Sequence, residues 1–140
     1  MTLIISEQTF PGKFSQLKHI CDFVGNFARE AGFPEDDIYQ ISLAVDEACS
    51  NIIEHAYGSE QEGCIDCSCN FTQPVLTISL RDDGKPFSPD DVPHPNIEAP
   101  LKQRKGHGLG YFFIQNIMDE VSYTPNAGNG NLLILRKQLG

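Results

Sequence analysis

A chain of 140 residues, 40% of them hydrophobic, is long enough for one domain with a true core and too short for two ordinary ones, so residues 1–140 are expected to form a single unit. The formal net charge of −9 repels a phosphate backbone over most of the surface, which argues against nucleic acid as a partner. No apolar run approaches about 18 residues, and Met1 to Phe10 lacks the basic start and apolar stretch of a signal peptide, so no membrane association and a cytoplasmic location are expected.

Thr2 to Ser6 reads as a short strand, followed by a turn at Pro11 and Gly12. From Ser15 to Ala31, Leu17, Ile20, Cys21, Val24, Phe27 and Ala28 recur at helical spacing, and Gly32 supplies a stop. Pro34 opens a second helix that is expected to reach about Ala56, with Ile38, Ile41, Val45, Ala48 and Ile52 on its buried face. Cys64 to Phe71 and Val75 to Arg81 read as two strands joined at Gln73 and Pro74 in a hairpin. Within the first of them, Ile65, Cys67, Cys69 and Phe71 alternate with polar residues, the period of a half-buried strand, so these thiols read as small core hydrophobes in preference to zinc ligands. An odd number of cysteines, five, without an export signal is consistent with reduced thiols.

Asp83 to Lys105 breaks the pattern with five prolines and many polar residues, too long for an ordinary connection and suggestive of a functional lid. A third helix is expected from Gly108, marked by Leu109, Phe112, Phe113, Ile117 and Met118. Val121 to Thr124 and Leu132 to Arg136 close the chain as two strands around the turn-rich Pro125 to Asn131. Partial segregation of strands and helices predicts an α+β fold, a mixed or mostly antiparallel sheet with helices on one face.

Three clusters carry the chemistry. Glu47 and Asn51 lie one turn apart on the second helix, beside its buried stripe, where a carboxylate can accept a proton from an attacking hydroxyl or water and an amide oxygen can ligate Mg²⁺. His55, a further turn along, reads as a helix-end packing residue. Asp82 ends an alternating strand and Gly84 permits a tight turn after it; such a carboxylate can accept a hydrogen bond from a purine amine, while Asp83 is assigned to the turn itself. Gly106, Gly108 and Gly110 open the third helix, where glycines let backbone amides approach phosphate and the helix terminus favours anions. Lys102, Arg104 and Lys105 precede them and either meet a polyphosphate or form a solvated loop. The glycines do not follow a strand and carry no P-loop Lys and Ser/Thr, so a different nucleotide architecture is required.

Glu, three residues, Asn on a helix; Asp, any residue, Gly after a strand; then a lid and Gly, any residue, Gly, Leu, Gly: in this order the chain resembles the GHKL superfamily of ATPases and kinases, with the Bergerat fold. The likeness runs from the first strand through Lys137 and is closest to the small anti-sigma-factor serine/threonine kinases. It implies a two-layer α/β sandwich that binds ATP with Mg²⁺ beneath a lid. By that resemblance Glu47 is the general base, Asn51 the Mg²⁺ ligand, Asp82 with Gly84 the adenine reader, and Gly106, Gly108 and Gly110 the phosphate hinge. Lys105, His107 and Leu109 are grouped with these nucleotide contacts, His107 without a separate role. The resemblance also implies partners, a sigma factor held inactive and a STAS-type anti-anti-sigma protein phosphorylated on serine or threonine, and allows a homodimer.

Two departures from the pattern are visible. Lys85 and Pro86 stand where many relatives carry a second glycine, and Asn131 stands where Thr is common. The stiffened turn at Pro86 keeps a second class of function open, a non-catalytic module in which ATP gates a surface that sequesters a regulatory partner. The catalytic half of a histidine kinase fits less well, because His19 lacks the acidic and proline context of an acceptor helix.

Overall fold

The alternation in the middle of the sequence does produce a hairpin: β2 (Cys64–Thr72) and β3 (Val75–Asp82) pair antiparallel with Ile65 opposite Asp82 and Phe71 opposite Leu76. Ile65, Cys67, Cys69 and Phe71 face the same way as Leu76, Ile78 and Leu80, and all are buried. In this computed structural model, residues 3–57, 63–86, 106–126, 128 and 130–140 are described, with the backbone alone at 3 and 106–111.

Around the hairpin lie β1 (Leu3–Pro11), β4 (Glu120–Thr124) and β5 (Asn131–Gln138), giving the order β1-β2-β3-β5-β4. Each of the four pairings among the described residues is antiparallel, so of the two sheets the pattern allowed, the mixed one is set aside. β1 is longer than the expected Thr2 to Ser6. Its register against β2 continues through Thr9 opposite Asp66 to Pro11 opposite Cys64, and Pro11 falls at the end of an edge strand, where its missing N–H costs no ladder bond.

The helical layer consists of α1 (Leu17–Ala31), entered through a 3₁₀ turn at Phe14–Gln16, then α2 (Glu35–Asn51) and α3 (Gly106–Ile117). Gly32 ends α1 in the left-handed region, φ 105°, and its amide returns to the carbonyl of Ala28 at 3.1 Å. Arg29 grips Glu35 through two bonds of 2.9 Å, tying the last turn of α1 to the first of α2. Glu35, Asp36 and Asp37 in that first turn oppose the positive end of the helix dipole.

α2 lies between α1 and α3 and contributes Ile38, Ile41, Ala44, Val45, Ala48 and Cys49 to one apolar cluster with the inner sheet face. All five cysteines are thiols. Cys67 and Cys69 are buried as their spacing predicted, while Cys64 is exposed. Burial, aided by Asp46 and Asp22, pushes the Cys21 thiol up to about 12, which makes it a poor nucleophile. No helix among the described residues is long and apolar enough to cross a membrane.

One helical expectation needs correction. The second helix does not continue unchanged to Ala56: directly after Asn51 it widens into a π turn at Ile52–Ala56, with the Tyr57 amide bonded to the Ile52 carbonyl at 3.2 Å. Ile52, Ile53 and Ala56 of this turn are all buried in the core. In α3 the apolar residues that mark the helix divide between two faces. Ile114, Ile117 and Met118, at i, i+3 and i+4, form the buried stripe, and this period turns Phe112 and Phe113 outward, 44% and 42% exposed.

Candidate functional site

Three polar side chains are buried among the described residues, Asn51, Asp82 and Asn131, and two of them belong to the sequence-predicted set. Asp82 ends β3 directly opposite Asn131, the first residue of β5, so neighbouring strands present both side chains on the core face. Asp82 Oδ1 accepts the Gly84 amide at 2.9 Å and the Asn131 Nδ2 at 3.0 Å. Nδ2 also reaches the Gly84 carbonyl at 3.0 Å, while Asn131 Oδ1 accepts the Asn126 amide at 3.1 Å. One carboxylate oxygen is thereby saturated. Oδ2 has no bond to any described residue and remains an acceptor for an incoming donor. Burial raises the Asp82 carboxyl above the ordinary aspartate range; the bonds from Asn131 and Gly84 pull it back in part, and neighbouring Asp83 adds to the rise.

The turn after Asp82 is fixed from two sides. A Cβ on Gly84 would stand 2.5 Å from the Ala56 carbonyl oxygen, and the Lys85 amide donates to that same oxygen at 2.7 Å. On the other side Gly130, φ 135°, passes so close to the Asp82 carbonyl that a side chain there would collide with it. Gly84 is therefore required by close approach. Gly84→Ala is expected to cost about 1–3 kcal/mol through overpacking, seen as a lowered thermal midpoint. An unchanged midpoint would contradict this packing.

Asn51 occupies the last position of α2, 4% exposed, and its Oδ1 accepts no hydrogen bond from any described residue. A buried amide oxygen left so is costly unless something else occupies its lone pairs, and a neutral oxygen is a ligand type that Mg²⁺ accepts. The donor chemistry fits the expected metal. Glu47, one turn earlier, is half-buried on the same side of α2 and is engaged in an interaction of its own. The contact of Ala56 with Gly84 and Lys85 brings the end of this helix to the end of β3, so Asn51 and Asp82 belong to adjoining elements.

Gly106, His107, Gly108, Leu109 and Gly110 lie within α3, whose backbone alone is described there. The helix begins two residues earlier than expected, so Gly106 and Gly108 lie in its first turn and Gly110 just past it, instead of leading into it. Glycine costs roughly 1 kcal/mol in a helix interior, and the buried stripe from Ile114 onward anchors the element against α2. First-turn amides still lack intrahelical partners, so the anion-binding logic survives the shift. Lys105, with Lys102 and Arg104, and the proline-rich lid from Phe87 onward lie outside the described residues. A cavity of about 460 Å³ on the uncovered sheet face, lined by Glu7, Thr9, Asp66, Ser79 and Arg81 among others, includes none of the candidate residues.

Tyr57 was not singled out by its sequence. Its hydroxyl donates to the Cys64 carbonyl at 2.5 Å and accepts the Asp83 amide at 3.0 Å. Burial, with Asp82 and Asp83 nearby, holds the phenol above its usual pKa even though the Asp83 amide favours the ionised form, so the donor proton is retained.

Residues 10–137 match the histidine kinase-like ATPase domain family. The serine-protein kinase RsbW of Halalkalibacterium halodurans is 30% identical over 126 residues, 87% of this chain and 76% of that protein. RsbW of Bacillus cereus (strain ATCC 10987 / NRS 248) is 29% identical over 126 residues, 87% of this chain and 78% of that protein. Among solved structures, the catalytic domain of the histidine kinase ThkA in a nucleotide-free form superposes with a TM-score of 0.55 at 18% identity, covering 96% of this chain and 98% of that one, a likeness of fold.

Proposed function

The chain belongs to the histidine kinase-like ATPase family, alongside the RsbW serine-protein kinases, and from that premise we propose that it is an ATP-binding anti-sigma factor that phosphorylates a STAS-type anti-anti-sigma protein on serine or threonine. It works in the cytoplasm as a single nucleotide-binding unit. The sigma factor is its second partner, and a second copy of the chain its third.

Support comes above all from two buried side chains with spare acceptor atoms at adjoining element ends, Asn51 Oδ1 and Asp82 Oδ2. Asp82 Oδ2 takes the exocyclic amine of adenine. Asn51 Oδ1 holds Mg²⁺, which when bound neutralises charge on the phosphates. The amides of Gly106 and Gly108 in the first turn of α3 receive phosphate oxygens, with Lys105, His107 and Leu109 beside them and Gly110 keeping the next turn free of a side chain. Glu47 accepts the proton of the partner's hydroxyl; that oxygen bonds to the γ-phosphorus as the bond to the β-phosphate's bridging oxygen breaks, and ADP leaves.

Incubation with γ-labelled ATP, Mg²⁺ and a STAS-type protein of the same organism is expected to move label onto a serine or threonine of that protein. If ATP binds and label stays put while the sigma factor is still sequestered, the ATP-gated module replaces the kinase.

A further inference from the structure

The residue that joins the two ends of the candidate site is Tyr57, which no motif assigns. It follows the π turn and so sits six positions beyond Asn51 on a continuous helical path. Its hydroxyl bridges the ends of two paired strands: the Cys64 carbonyl at the start of β2 and the Asp83 amide just past Asp82 at the end of β3. Its ring fills the space above two glycines. A Cβ on Gly63 would overlap ring carbons, one on Gly12 would stand 3.0 Å from them, and Gly12 and Gly63 are bonded to each other at 2.8 Å. With Lys85 N–H on the Ala56 carbonyl, the segment Ala56–Tyr57 therefore holds the 83–85 turn at successive residues.

We propose that Tyr57 is a positioning residue for base recognition: its phenol latches the turn after Asp82 to the helix end that carries Asn51, and so fixes the free carboxylate oxygen where a purine amine must arrive. The argument rests on the nucleotide reading above. Asp82 Oδ1 is oriented by the Gly84 amide, so any slack in the 83–85 turn passes to the carboxylate within one bonded ring. A latch of this kind leaves the carboxylate intact and changes how well its direction is defined. Removing it raises the ordering that adenine binding must complete, and does so only for ligands that use Oδ2.

The test compares ADP with inosine diphosphate, which keeps the phosphates and carries a carbonyl in place of the exocyclic amine. Titrations with Mg²⁺ are made on the full chain, wild type and Tyr57→Phe, well below their unfolding midpoints. Tyr57→Phe is expected to bind ADP about 3- to 10-fold more weakly, with inosine diphosphate affected less than about twofold, so the preference for ADP shrinks. Gly63→Ala, whose new methyl displaces the ring while leaving the hydroxyl, is expected to narrow the preference in the same direction and stands in if the phenylalanine variant does not fold. An unaltered preference in a folded variant, whatever happens to its thermal midpoint, would mean that Tyr57 only braces the fold. Absence of ADP binding by the wild type would overturn the nucleotide reading as well.

Discussion

Glu47→Gln is expected to lose phosphotransfer to the STAS partner by a factor of about 10²–10⁴, the usual worth of a positioned general base, while its affinity for ADP stays within a few-fold of wild type. The expectation comes from placement. Glu47 is half-buried, one turn before the buried Asn51, and is not among the core residues, so in the proposed site it borders the nucleotide without being needed to hold the core. Glutamine keeps the size and much of the hydrogen bonding but cannot accept the hydroxyl proton. Initial rates with labelled ATP and calorimetric titration with ADP separate the two effects. Transfer within tenfold of wild type would remove Glu47 from the chemistry, whereas parallel loss of transfer and binding would make it a binding residue.

The sequence was most legible where one period governs one layer. β2 and β3 alternate cleanly because one face is buried and the other is open, and that alternation places Asp82 at a strand end. α1 and its glycine stop were legible for the same reason. What the pattern missed depends on distant segments. β1 extends to Pro11 because β2 supplies partners that far, which the composition of residues 7–11 does not disclose. The π turn after Asn51 leaves no mark in the apolar pattern, because Ile52, Ile53 and Ala56, at i, i+1 and i+4, fall on one face of a regular helix too. Phe112 and Phe113 mark the third helix without disclosing its face, which the phase of Ile114, Ile117 and Met118 decides.

At the candidate site the polar types were readable and their partners were not. Asn131, a departure from a common Thr that keeps its hydrogen-bonding capacity, is the residue that, with the Gly84 amide, saturates one oxygen of Asp82. Tyr57 left a faint trace, since Gly12 and Gly63 are small where its ring needs room, but nothing in a linear pattern connects the three.

Asp82→Asn is expected to separate stability from binding in opposite directions. Burial raises the folded-state pKa of Asp82 above that of the unfolded chain, roughly 3.9 for an ordinary aspartate. The native state then holds this proton to higher pH than the unfolded state does, so the contribution to stability is complete below the unfolded pKa and declines as pH rises through the folded one. At neutral pH the ionised carboxylate is a cost that the free protein carries. Asparagine removes the charge and still offers a carbonyl oxygen to the Gly84 amide and to Asn131, so the bonds on Oδ1 survive. The free variant should therefore melt no lower than wild type at neutral pH, and its stability should lose the decline that begins near pH 4 in the wild type. Binding changes the other way. The outward atom becomes an N–H₂ facing the N–H₂ of adenine, donor against donor in a buried setting, and ADP affinity should fall about 10²- to 10³-fold from the lost charged bond and the unpaired donors. Thermal melts across pH and ADP titrations of the same preparation check both halves; a variant that melts well below wild type yet binds ADP normally would show that Asp82 serves the fold and leaves the base to another residue.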